Sequence, residues 1–128
     1  MKILKSKLFW TVLSVAASLA AIFSLMPKPI DMNLERIGKG KKAVVFVYDL
    51  NLAASHQQTT EINKAQSLVG DQAVFLIVNI GDPTAEAFRT RYQVRSLDIL
   101  LFNGGGELVD RDRALLSAEG LTAWLSGI

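Results

Sequence analysis

Ser55 stands beside His56, and a hydroxyl next to an imidazole is the start of a nucleophile and its base. Asp49 or Asp98 would supply the third group of such a site. In a helix, though, adjacent side chains point about 100° apart and do not face each other, and no oxyanion loop accompanies this pair. Ser55 therefore reads as a helix cap and His56 as a residue of the exposed first turn. A single His with distant aspartates is also too thin a donor set for a metal. The chain contains no cysteine, which removes thiol exchange, disulfides and thiolate metal sites together. Gly104 to Gly106 resembles a phosphate cradle, but that chemistry needs a helix directly after the glycines, and a strand follows instead. No catalytic residue, cofactor site or metal site is assigned.

The elements that carry these residues fit one domain in a chain of 128 residues. Its net charge of +2 and scattered basic residues exclude nucleic acid as the partner. Ala43 to Tyr48 (AVVFVY) and Ala73 to Ile80 (AVFLIVNI) are continuous apolar runs, the pattern of strands buried on both faces. Between them Ala54 to Val69 reads as a helix stopped by Gly70, so the two strands are parallel across a crossover. Asp82-Pro83 opens a second helix over Thr84 to Tyr92. Ile99 to Phe102, the turn Asn103 to Gly106 and the strand Glu107 to Arg111 form an antiparallel hairpin. Ser117 caps a last helix with Leu121, Trp124 and Leu125 on its apolar face. The sum is a mixed α/β sheet covered on both faces. The alternating Asp110-Arg111-Asp112-Arg113 reads as a solvated edge that resists strand pairing, in preference to a polar rim for a partner.

Ahead of the domain, Leu8 to Met26 is nineteen residues without a charge, preceded by Lys2, Lys5 and Lys7. As a helix it would be about 29 Å long, enough to cross a bilayer. Leu8, Phe9, Trp10, Phe23 and Met26 lie toward its two ends, with Trp10 suited to the interface, and Pro27 and Pro29 terminate it. Residues 1–26 thus read as an uncleaved transmembrane anchor, with a cleaved signal peptide as the alternative, residues 27–42 as a linker and residues 43–128 as the domain. The short lysine-bearing tail favours an N-terminus inside and a domain outside: the bacterial inner membrane, with the domain in the periplasm. Lys39 to Lys42 read as a solvated loop rather than a lipid contact.

Three stretches carry a family likeness across about two thirds of the chain: KKAVVFVYD (Lys41 to Asp49), YQVRSLDILLFNGGGELVDR (Tyr92 to Arg111) and LSAEGLTAWL (Leu116 to Leu125). In this order, behind an anchor, they resemble the thioredoxin family, which implies a thioredoxin-like mixed sheet flanked by helices. The resemblance places the two thiols at Leu52 and Ser55, the preceding tryptophan at Asn51, the buried acid at Phe46 and the cis-proline at Asp98. None is retained, so no redox function is implied, and a trans peptide and a reshaped loop are expected before Asp98. The same corner, at Leu50, Leu52, Ser55, His56, Leu97 and Asp98, is the expected interaction surface, since the fold brings those loops together at the strand ends. The leading expectation is a non-catalytic accessory or scaffold subunit of a larger membrane complex, with the bilayer and other subunits as partners. Alternatives are a periplasmic peptide-binding or chaperone-like module using that corner, and an enzyme using Ser55, His56 and Asp98.

Overall fold

Four apolar or alternating segments pair into one sheet in a computed structural model that describes residues 30–128. The strands are β1 (Lys42–Tyr48), β2 (Ala73–Asn79), β3 (Asp98–Phe102) and β4 (Leu108–Arg113), in the order β2-β1-β3-β4. β1 and β2 are parallel, while β3 lies antiparallel to both β1 and β4. The helices are α1 (Ala53–Val69), α2 (Glu86–Tyr92) and α3 (Ala118–Ser126). This is the mixed, doubly covered sheet the sequence implies.

The continuous apolar runs have a simple cause. Successive side chains of a strand point to opposite faces, so a strand covered on both faces must be apolar throughout. Val44 and Phe46 of β1 pack with Ile62 and Ala65 of α1 and Leu121 and Leu125 of α3, while Val45 and Val47 pack on the other face with Phe88 of α2. Local signals set the helix ends. Asp82 accepts from the Thr84 amide (3.0 Å) ahead of a single 3-10 turn with Pro83 at its start, and this turn leads into α2. Ser117 caps α3 through the Gly120 amide at 3.0 Å. Gly70 ends α1 with φ 63°, and Gln93 ends α2 in the left-handed region with φ 50°.

The stretch expected to be a connector is folded onto the domain from Ile30 onward. Asp31 forms a single parallel bridge to Leu76, its carbonyl accepting from the Ile77 amide at 2.8 Å. Ile30 packs on one core, and Leu34 and Ile37 pack on the other. Glycine makes the final contact possible: a Cβ on Gly104 would stand 2.9 Å from the Gly40 carbonyl oxygen, and one on Gly106 3.1 Å from the Gly38 Cα. The apolar run Leu8 to Met26, read as an anchor, lies outside the described residues. Among the described residues no helix is long and apolar enough to cross a membrane.

Candidate functional site

The loop after β1 is organised by Asp49. Its amide donates to Ser55 Oγ (2.9 Å), its Oδ1 accepts from the Asn51 amide (3.0 Å), its Oδ2 accepts from the Ser96 hydroxyl (2.8 Å), and its carbonyl accepts from the Leu52 amide (3.1 Å). One aspartate thus ties the end of β1, the start of α1 and the loop before β3. An Asx turn of this kind needs only a short acceptor side chain at a strand end, and that was the available sequence signal for Asp49.

Ser55 is not the helix cap expected of it. Leu52 takes the cap position in extended conformation without a side-chain bond, and Ser55 lies inside the first turn, fully buried. Its burial follows from the Asp49 amide, which needs an acceptor where water does not reach. His56 is in the exposed first turn as expected, with Nδ1 3.0 Å from the Tyr48 hydroxyl and its ring edge-on to the Tyr48 ring at 5.5 Å. Ser55 and His56 therefore serve separate partners and form no nucleophile–base pair.

Asp98 also departs from the expected exposed corner: it is 2% exposed. Its Oδ2 accepts from the Arg95 amide at 2.8 Å, Arg113 Nε lies 3.3 Å from Oδ1, and Arg111 Nη1 lies 3.9 Å from Oδ2. The same arginines donate onward, Arg111 to the carbonyls of Tyr92 and Gln93 and Arg113 to that of Ser96. A carboxylate inside the protein needs such partners. The peptide bond before Asp98 is trans, as expected, and the loop is reshaped, with Leu97 at φ 75°. The Leu97 amide donates to the Val47 carbonyl (2.9 Å) and its carbonyl accepts from the Ala114 amide (2.9 Å).

The charge alternation along β4 now has a geometric meaning. Arg111 and Arg113 lie on the α2 face and reach Asp98, while Asp110 lies on the α3 face and accepts from the Trp124 indole N–H at 2.7 Å. Because the Ala114 amide points at Leu97, alternation turns the Arg113 and Arg111 amides away from the sheet. Both are taken by the preceding carboxylates, Asp112 and Asp110, at 2.8 Å. The run is the solvated edge expected, with two outward donors satisfied by its own side chains. The Trp124 indole, then the Arg111 amide, holds the Asp110 carboxyl below its ordinary value.

Of the six corner residues, Leu50 (66% exposed), Leu52 (38%) and His56 face solvent, Leu97 is half-buried, and Ser55 and Asp98 are inside. Beside Leu50 an open depression of about 460 Å³ runs between the ends of β1 and β2, lined by Asp49, Asn51, Asn79 and Asp82 among others. Asn79 and Asp82 turn their oxygens to the Gly81 and Thr84 amides, and the Thr84 amide lowers the Asp82 pKa. Among the described residues no three His, Cys, Asp or Glu side chains gather as a metal site. The corner offers apolar contact and backbone rigidity.

No family model and no curated protein sequence matches the chain. Solved structures do. Thioredoxin-2 of the malaria parasite, described as a component of its protein secretion machinery, superposes with a TM-score of 0.64 at 21% identity, covering 81% of this chain and 99% of that one. A thioredoxin-like protein from Clostridium perfringens superposes with 0.68 at 9% identity, covering 77% and 79%. Trxlp from Edwardsiella tarda gives 0.60 at 18% identity, covering 76% and 98%. With the sheet order and the helices on both faces, these likenesses make the fold of this chain thioredoxin-like.

Proposed function

We propose that this chain is a redox-inactive, thioredoxin-like accessory subunit, anchored in a membrane by residues 8–26 and acting through protein–protein contacts within a larger membrane assembly. The observation that carries the reading is the state of the strand-end corner. Leu50 and Leu52 are exposed there, while Ser55 and Asp98, at positions where the thioredoxin resemblance places a thiol and the cis-proline, are engaged in intramolecular bonds. Two exposed leucines beside side chains already bonded within the chain support contact with a partner at this corner over chemistry there. The cysteine-free sequence supports the same conclusion, since thiolate is the attacking species in disulfide exchange. The likeness to thioredoxin-2, a secretion-machinery component in its own organism, supports an assembly role for such a domain. The proposed location is the bacterial inner membrane, with the domain in the periplasm. The peptide-holding alternative has less support, because the backbone amide and carbonyl of Leu97 at this corner are both engaged within the domain and leave no free pair there for an extended peptide.

The test is isolation of the tagged full-length chain from its native membranes in mild detergent. A defined set of partners at fixed stoichiometry is expected, and it should be lost in the L50D/L52D double variant while thermal stability is kept. Recovery of the chain alone, or an unchanged partner set in the variant, overturns the proposal. The purified chain should leave insulin disulfide reduction at its uncatalysed rate.

A further inference from the structure

The chain enters the domain at a fixed place and in a fixed direction. Asp31 pairs with Leu76 in the middle of β2, and the pairing is parallel, so the chain arrives from the Ala73 end of that strand. Ile30, the residue before it, packs on the core. Between Ile30 and Met26, where the uncharged run ends, stand only Pro27, Lys28 and Pro29. Four Cα-to-Cα steps reach at most about 14 Å. From the level of Ile30, Ala73 is two strand residues away, about 7 Å, while Asn79 is four residues away in the opposite direction, about 13 Å, with the loops bearing Leu50 beyond it. A connection of that length suffices to reach the first pole. To reach the second it would have to double back, and it would still fall short of the Leu50 loop.

We infer that the domain stands on the bilayer by the pole that carries Lys39, Lys41, Leu68 and the turn Gly70–Gln72, set against phospholipid headgroups, with the Leu50 and Leu52 corner at the far pole. This rests on the anchor reading above. Lys39 and Lys41 are exposed and pair with no carboxylate among the described residues, and Leu68, at the end of α1, is 62% exposed. Asp71 and Glu107, also exposed near this pole, offset part of the basic charge. Chain length therefore sets the orientation, and attraction to anionic headgroups is the smaller contribution. From Lys42 to Tyr48 β1 rises about 20 Å, which sets Leu50 about that far along the strand from the membrane-facing pole. A partner using the corner must itself project that far from the bilayer.

The absence of cysteine makes the test direct. Single variants K41C, L68C and L50C of the full-length chain, each labelled with one fluorophore, are reconstituted in phosphatidylcholine/phosphatidylglycerol vesicles with or without nitroxide-headgroup lipid. Quenching several-fold greater at positions 41 and 68 than at position 50 is the expected result. Equal or reversed quenching in chains that float with the vesicles overturns the orientation and leaves the anchor standing. A chain that does not float with the vesicles overturns the anchor reading and the orientation with it.

Discussion

The loop after β1 and the loop before β3 meet at one pole of the sheet, and they satisfy their buried polar groups in opposite ways. In the first, a neutral hydroxyl at Ser55 closes one backbone amide, that of Asp49. In the second, a carboxylate at Asp98 is placed inside and held by the Arg95 amide and two arginines from the edge strand. A buried hydroxyl needs one good bond, whereas a buried charge needs several and leaves a large penalty when they are removed. The difference shows where this fold tolerates change. The corner at Ser55 is a local arrangement, while the loop before β3 depends on a strand that follows it in sequence.

The sharpest way to break the comparison is to strip the charge of its partners. The double variant R111M/R113M leaves Asp98 with the Arg95 amide alone in a site 2% exposed. Asp98 is buried while the two arginine side chains are 38% and 49% exposed, so urea unfolding should show a loss no greater than the lower end of the about 3–5 kcal/mol that breaking a buried pair costs. A loss below about 1 kcal/mol would mean that the pair behaves as an exposed ion pair, contrary to the asymmetry drawn above. At the other loop, S55A removes only the acceptor of the Asp49 amide, and a loss of about 1–2 kcal/mol is expected. A loss equal to that of the arginine variant would erase the distinction.

The same contrast explains what was legible in the sequence. β1 and β2 were visible as apolar runs, and the β3–β4 hairpin was visible in Asn103 and its glycines, because burial on both faces and tight turns leave local signatures. The positions of Leu50 and His56 followed from the strand-to-helix junction. Ser55 departs from the cap its spacing predicts because its partner, the Asp49 amide, belongs to the preceding turn and leaves no mark in the spacing of helix residues. The burial of Asp98 is not legible for a related reason: its arginines belong to β4, and Asp-Arg-Asp-Arg looks the same whether the arginines point to water or across the strand to a carboxylate. The docking of Ile30 to Lys42 depends on Gly38 and Gly40 meeting Gly104 and Gly106, an approach of two distant segments that composition does not encode.

A smaller effect tests the backbone of the second loop. Gln93, whose carbonyl receives Arg111, is held at φ 50° and ψ 49°, where a side chain costs about 1 kcal/mol and glycine costs little. Q93G should therefore stabilise the protein by up to about 1 kcal/mol in a denaturant melt. Destabilisation would show that the Gln93 side chain contributes more than its backbone strain removes.

The smallest effect concerns the opposite face of β4, where a charge stays in water. The Trp124 indole N–H, then the Arg111 amide, hold the Asp110 carboxyl below the ordinary value of 3.8. A carboxyl whose folded pKa is depressed adds stability that is complete above its unfolded value and is lost as the pH falls through the folded one. This contribution is therefore present at neutral pH and disappears only below pH 3.8. W124F removes the indole donor but keeps a ring on the α3 face, so an NMR titration should find the Asp110 carboxyl shifted up toward its ordinary range. The Asp98 cluster, which shares no partner with Trp124, should keep its chemical shifts. Movement of both would mean that the two faces of β4 are coupled through the strand, and the solvated and buried aspartates could no longer be treated as separate solutions.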